Sequence, residues 1–245
     1  MNTSRKSILP LAVLQASMAM LAMTFGAPQA QAAGMRPETS VVIVSEGAGE
    51  ASMTVQNTDA TPALLYTSIQ GIPEDDEDLL IVTPPVARVE GGQSQLVRFI
   101  VNSPEPLKTE RLRRVIFDGI PPKDNKAGVR INMNFRQNLP LIVRPAGLAV
   151  DPEPWKRLQW TSDGKSLTVK NPSSYVVRLS PGASLEPSGA KLNLGRTYIL
   201  PNQSFSYPLP SAQGGQPASV RFTPATTYGF SGGTYDAKLT TSASH

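Results

Sequence analysis

Residues 129–145, VRINMNFRQNLPLIVRP, constrain the fold of this chain more than any other stretch. Apolar side chains occupy the odd positions Val129, Ile131, Met133, Phe135, Leu139, Leu141 and Val143. Even positions are mostly polar. Gln137 breaks the odd row, and Pro140 and Ile142 break the even one. A period of two is that of a strand, whose successive side chains face opposite ways. At ~3.3 Å per residue the stretch would span roughly 50 Å, well beyond an ordinary strand. Pro140 has no N–H to give a neighbour, which fits an edge or a bulge rather than the middle of a sheet. Two readings follow. One is a sandwich strand that bends at Pro140 into a linker. The other is an exposed apolar edge kept so that it can be lent to another chain, since proteins normally avoid leaving such an edge open.

The rest of the chain reads as all-β. It has 245 residues with 23 Pro and 19 Gly, and its apolar runs are short and separated by turns. Strands are expected at residues 40–44, 51–56, 63–72, 79–82, 95–101 and 111–118. A second series is expected at 158–161, 166–170, 175–179, 190–194, 196–200, 204–208, 219–223 and 235–240. Between the two series, residues 146–154 (AGLAVDPEP) read as a linker. Regular short strands at this spacing mean sandwiches, here one per series. The acidic run at 74–78 (EDDED) lacks the alternation and the Gly of a calcium loop and reads as solvated. Arg88 and Arg98 are read as ordinary surface ion-pair partners.

The N-terminus reads as a secretory signal over residues 1–32. Arg5 and Lys6 open it, a largely apolar run follows, and Ala30-Gln31-Ala32 is a cleavage site. Removal of this segment leaves no expected membrane insertion. Without Arg5 and Lys6 the basic residues number 21 against 19 acidic, so there is no case for nucleic acid. The absence of Cys from an exported chain means that stability must come from packing.

Catalytic chemistry is thin. With no Cys, and His245 as the only His, Ser–His and Cys–His triads and His- or Cys-based zinc sites are excluded. No phosphate loop and no dinucleotide fingerprint occurs. A carboxylate pair using Glu186 or Asp163 is open, although nothing singles either out. The chain is read as a non-enzyme without cofactor or metal. A secreted two-domain adhesin and a carboxylate hydrolase are the rival readings.

Several stretches together resemble the periplasmic pilus chaperones of the chaperone–usher pathway. They are residues 84–92 (PPVARVEGG) with Arg98, Ile120-Pro121-Pro122, the long alternating stretch ending Val143-Arg144-Pro145, residues 167–175 (LTVKNPSSY) and Thr227-Tyr228-Gly229. Each is weak alone, but they occur in family order over nearly the whole mature chain. The resemblance implies two immunoglobulin-like β-sandwich domains, 33–147 and 155–245, joined by 148–154 in a boomerang arrangement. It implies a periplasmic location, with pilus or fimbrial subunits and an outer-membrane usher as partners. It also implies donor-strand complementation, in which the long edge strand fills a gap in an incomplete subunit sandwich.

By motif position, Ile131, Met133 and Phe135 are the donor side chains, with Val129 at the margin. The short preceding loop is that of the subgroup serving rod-like pili. Glu110 and Arg144 fall where the family has an interdomain ion-pair network, whose Asp is Thr227 here. The family anchors the subunit's terminal carboxylate with an Arg on the first strand and a Lys late in the long strand. In this chain the Lys position is Pro140, and residues 39–41 hold no Arg. Arg36 and Arg136 are the substitutes this reading names.

Overall fold

The computed structural model describes residues 34–122, 136–209, 217–226 and 233–241. Its first nine strands are β1 (Met35–Pro37), β2 (Val42–Ser45), β3 (Glu50–Asn57), β4 (Ala63–Gln70), β5 (Leu80–Thr83), β6 (Val86–Val89), β7 (Ser94–Val101), β8 (Arg111–Ile120) and β9 (Arg136–Arg144). They form two sheets, ordered β1-β3-β7-β5 and β2-β9-β8-β4-β6. Alternation decides which side chains meet between them. Met53 and Val55 of β3, Val97 and Phe99 of β7, Leu65 of β4, and Val115 and Phe117 of β8 all point inward and are buried. Phe99 and Phe117 pack edge to face across the gap, with centroids 6.5 Å apart. The chain passes from one sheet to the other between β1 and β2. The three-residue β1, which contains Pro37, was not anticipated from the sequence because it is too short to show a period.

The second half contains β10 (Gln159–Ser162), β11 (Ser166–Lys170), β12 (Val177–Glu186), β13 (Ala190–Asn193), β14 (Tyr198–Ile199), β15 (Ser204–Pro208), β16 (Ser219–Pro224) and β17 (Tyr235–Thr241). They form one curled sheet ordered β13-β12-β16-β17-β10-β11-β15, with β14 also on β12. The curl is possible because the register of β12 shifts between Leu179 and Ala183, around Pro181 and Gly182. A residue without an N–H fits an irregularity of this kind. Trp160, Leu167, Val169, Val177, Val220 and Phe222 fill the core. Each half therefore closes on its own apolar cluster, and the two together have the architecture of paired immunoglobulin-like sandwiches.

Each half also contains one wholly buried Asn. Asn57 donates to the carbonyls of Thr61 and Val89, at 2.9 and 3.0 Å, and accepts the Asp59 N–H. Asn171 donates to the carbonyls of Tyr175 and Ile199 and accepts from the N–H and Oγ of Ser173. In both cases the side chain replaces water on backbone groups that a tight turn would leave unpaired.

Most of the acidic run is solvated, with Glu74, Asp76, Glu77 and Asp78 exposed, but Asp75 is drawn in. Asp75 lies against Arg111 and Arg113, with Arg111 Nη2 at 2.6 Å and Arg113 Nη2 at 2.7 Å from Oδ1. Arg113 is 1% exposed and donates further to the carbonyls of Glu77 and Leu112. Arg111 also pairs with Glu77 at 2.9 Å. The sequence did not show this pairing because the partners lie 36 and 38 residues downstream. Neighbouring acids repel unless cations fold onto them, and nothing local shows that they do. Burial would raise the Asp75 carboxyl, but the hydrogen bonds and charges of Arg111 and Arg113 outweigh it and hold it well below the usual range.

Asp75→Ala strands the Arg113 guanidinium and is expected to cost on the order of 3 kcal/mol in urea unfolding. The unfolded Asp binds its proton more readily than the folded one. The Asp75 contribution is therefore complete above about pH 4 and is lost as the pH falls below that. The acid limb of the wild-type stability profile should accordingly be steeper than that of the Asp75→Asn variant.

Candidate functional site

The edge pairing of β9 defines the candidate site. On one side, β9 pairs with β8 from Arg136 to Val143. On the other, it pairs with β2 in parallel, and only from Leu141 to Arg144. Among the described residues no strand pairs with that second edge over residues 136–140. A groove of about 510 Å³ lies beside it, lined by Arg36, Pro37, Glu38, Thr39, Ser40, Gln137 and Leu139. The crossing from β1 to β2 forms one wall, and the start of β9 forms the other. Leu139 is partly buried against the first core, so the groove connects with that core at its floor.

The named candidates fall in different places. Val129, Ile131, Met133 and Phe135 lie outside the described residues, as does Thr227. Arg36 lines the groove and donates to Gln56 Oε1 at 2.5 Å. Arg136, at the start of β9, is exposed and sits 3.6 Å from Asp118 of β8. These two arginines therefore have neighbours of their own on different strands. Arg88 and Arg98 are surface ion-pair partners of Glu90 and Glu50.

Glu110 and Arg144 do meet. Arg144 Nε donates to Glu110 Oε1 at 3.0 Å, and the Val176 N–H donates to Glu110 Oε2 at 2.9 Å. The Glu110 N–H donates to the Ser174 carbonyl at 2.8 Å. One residue at the start of β8 thus ties the first half to the segment that leads into β12. Burial pushes the Glu110 carboxyl up from its ordinary value, against the opposing pull of the Val176 N–H and Arg144. Above this polar tie, Val41, Ile72, Leu112, Ile142 and Val176 form a third apolar cluster that contains residues of both halves. Tyr198 packs on it and donates its hydroxyl to Glu74 at 2.8 Å.

Two further residues face this junction and were not singled out from the sequence. Arg114 of β8 stands opposite Pro140 in the ladder. It reaches across β9 to Asn138, donating to Oδ1 and to the carbonyl, both at 2.6 Å. Arg178 of β12 stands opposite Tyr198, and its Nη1 is buried without a hydrogen-bond partner. The signal for Arg114 was present in residues 111–114 (RLRR). A period of two sends Arg111 and Arg113 to one face and Arg114 to the other.

Residues 34–149 match the family described as pili and flagellar-assembly chaperone, PapD N-terminal domain, and residues 153–232 match its C-terminal domain. The chain belongs to this family. It is a periplasmic chaperone of pilus assembly. Among curated proteins it is 45% identical over 209 residues to the uncharacterized fimbrial chaperone YhcA of Escherichia coli, covering 85% of this chain and 92% of that protein. The crystal structure of the E. coli chaperone DraB superposes with a TM-score of 0.68 at 25% identity, covering 86% of this chain and 98% of DraB. The SafB chaperone of Salmonella enterica, in its complex with the SafA pilin, shares the fold with a TM-score of 0.70 at 22% identity, over 85% of this chain and 98% of that one.

Glu110→Ala removes the counter-charge of Arg144 and the acceptor of Val176 together. It is expected to lower stability by about 3 kcal/mol in urea unfolding. Adding Arg144→Met should restore part of the loss, because the stranded charge goes with it.

Proposed function

We propose that this chaperone works by donor-strand complementation. The observation that carries the proposal is the half-open second edge of β9. Among the described residues no strand pairs with that edge over 136–140, Gln137 and Leu139 line a groove beside it, and β2 closes the same edge from Leu141 onward. An incoming strand gains main-chain hydrogen bonds along that edge, and alternate side chains settle specificity. In this reading β9 continues the alternation of Val129, Ile131, Met133 and Phe135, which fill the groove of the incomplete subunit. Each such side chain contributes about 1.5–3 kcal/mol when buried. The partners are fimbrial subunits and then an outer-membrane usher. Residues 1–32 are removed on export, and residues 33–147 and 155–245 act as the two chaperone domains.

Co-expression with a fimbrial subunit encoded beside the chaperone gene tests this directly. Ile131→Glu, Met133→Glu and Phe135→Glu together should cut recovery of soluble subunit at least about tenfold, with the chaperone's own thermal midpoint unchanged. One such charge costs more than tenfold in an apolar groove. Undiminished recovery of a bound subunit contradicts the proposal.

A further inference from the structure

The two halves meet at a second place besides Glu110, and the segment between β4 and β5, residues 71–79, supplies it. The course of this loop is fixed from within. The Ile72 N–H donates to the Asp75 carbonyl and the Asp75 N–H to the Ile72 carbonyl, both at 2.9 Å. The turn is so tight that a Cβ on Gly71 would sit 2.6 Å from the Asp76 Cα and 3.0 Å from the Asp75 carbonyl oxygen, so only glycine fits there. The loop is also braced from beneath. Arg111 and Arg113 of β8 both hold the Asp75 carboxylate, and Arg113 donates to the Glu77 carbonyl as well. Loops without such braces are the mobile parts of a fold.

The braced loop offers the second half one apolar and one polar contact. Ile72, 6% exposed, enters the apolar cluster with Leu112, Ile142 and Val176. Glu74 accepts the Tyr198 hydroxyl at 2.8 Å. Tyr198 is itself held in place: β14 pairs with β12 at Tyr198 and Ile199, and the buried Asn171 donates to the Ile199 carbonyl. Burial and the Glu74 carboxylate together push the Tyr198 hydroxyl up to about 12, so it keeps its proton and stays a donor at neutral pH. Glu110, by contrast, meets the second half at Ser174 and Val176, ahead of β12. Two domains joined at one point can turn about it, and a second contact on another strand removes that freedom. We infer that residues 71–79 are a strut that fixes the angle between the two halves, and that this angle positions the second half against a subunit docked on β9. The strut bears on that strand directly, because Ile142 of β9 shares the cluster with Ile72. The fixed angle is a property of the chaperone alone; its use in holding a subunit rests on the donor-strand reading.

The chain has no Cys, so Gln93→Cys and Lys165→Cys, at exposed positions, place one nitroxide spin label on each half of the full chaperone. The distance distribution between the labels, read by pulsed electron spin resonance, provides the test. With the strut intact it should be single and narrow. Gly71→Ala, which displaces Ile72 and Glu74 together, should widen it about twofold, and Tyr198→Phe and Glu74→Leu should each widen it at least about half as much. Glu74→Gln keeps an acceptor oxygen and should keep the narrow width. Gly71→Ala without labels should also lower recovery of a co-expressed fimbrial subunit severalfold, although residues 136–140 are unaltered. Tyr198→Phe removes one hydroxyl and no packing, so it tests the strut even where Gly71→Ala fails to fold. An unwidened distribution in Tyr198→Phe overturns the strut and leaves the donor-strand reading standing. Widening with undiminished recovery of subunit overturns its positioning role.

Discussion

A β-strand has two hydrogen-bonding edges, and β9 has a described neighbour on both only from Leu141 to Val143. The organisation of the first half follows from that limit. β2 can pair with β9 only after the chain has crossed from the other sheet, and the crossing itself forms the far wall of the groove. Unpaired backbone groups beside an apolar floor invite strand addition, and they also invite self-association. In this chain the open edge is short and flanked by Arg36, Arg136 and Glu38, and charge of this kind discourages flat pairing between identical copies.

The polar contacts around the junction act together with that edge. Glu110 connects β8 to the backbone ahead of β12, while Leu112, the next residue but one on the same face, sits in the apolar cluster shared by the two halves. Arg114, two residues further, has Asn138 and no acid as its described hydrogen-bond partner. One face of one strand thus carries in succession a tie, a packing residue and an unneutralised charge. The opposite face carries Arg111 and Arg113, both paired with Asp75, and Arg111 also with Glu77. The acidic loop stabilises the end of the sandwich, and its Glu74 reaches Tyr198 of the second half. Arg113 and Arg144 are paired with acids, whereas Arg196 of the second half lies over the Phe205 ring with its Nε buried and unpartnered.

Much of the architecture could be read from the sequence because alternation is a local property. The strands of both series, and the turns at Asn57 and Asn171, follow from patterns a few residues long. The long alternating stretch pointed to β9, whose described part, Arg136–Arg144, lies between β2 and β8 in the sheet, with β2 beside it only from Leu141 onward. Contacts between segments far apart in the chain were not readable. The pairing of Asp75 within the acidic run could not be read, because Arg111 and Arg113 are brought to it only by folding. β1 was too short to register, yet it supplies Arg36 to the groove. The resemblance to pilus chaperones drew attention to position 140, where a Pro stands, but only the ladder shows that Arg114 is its neighbour.

Amide hydrogen exchange on the chaperone, free and bound to a co-purified fimbrial subunit, tests the central claim most directly. Edge amides that gain a strand partner exchange far more slowly. The account predicts that amides within residues 136–140 slow by at least about tenfold on subunit binding, while those of residues 141–144, already paired to β2, change little. Unchanged exchange at 136–140, with new protection confined to loops of either half, would contradict it.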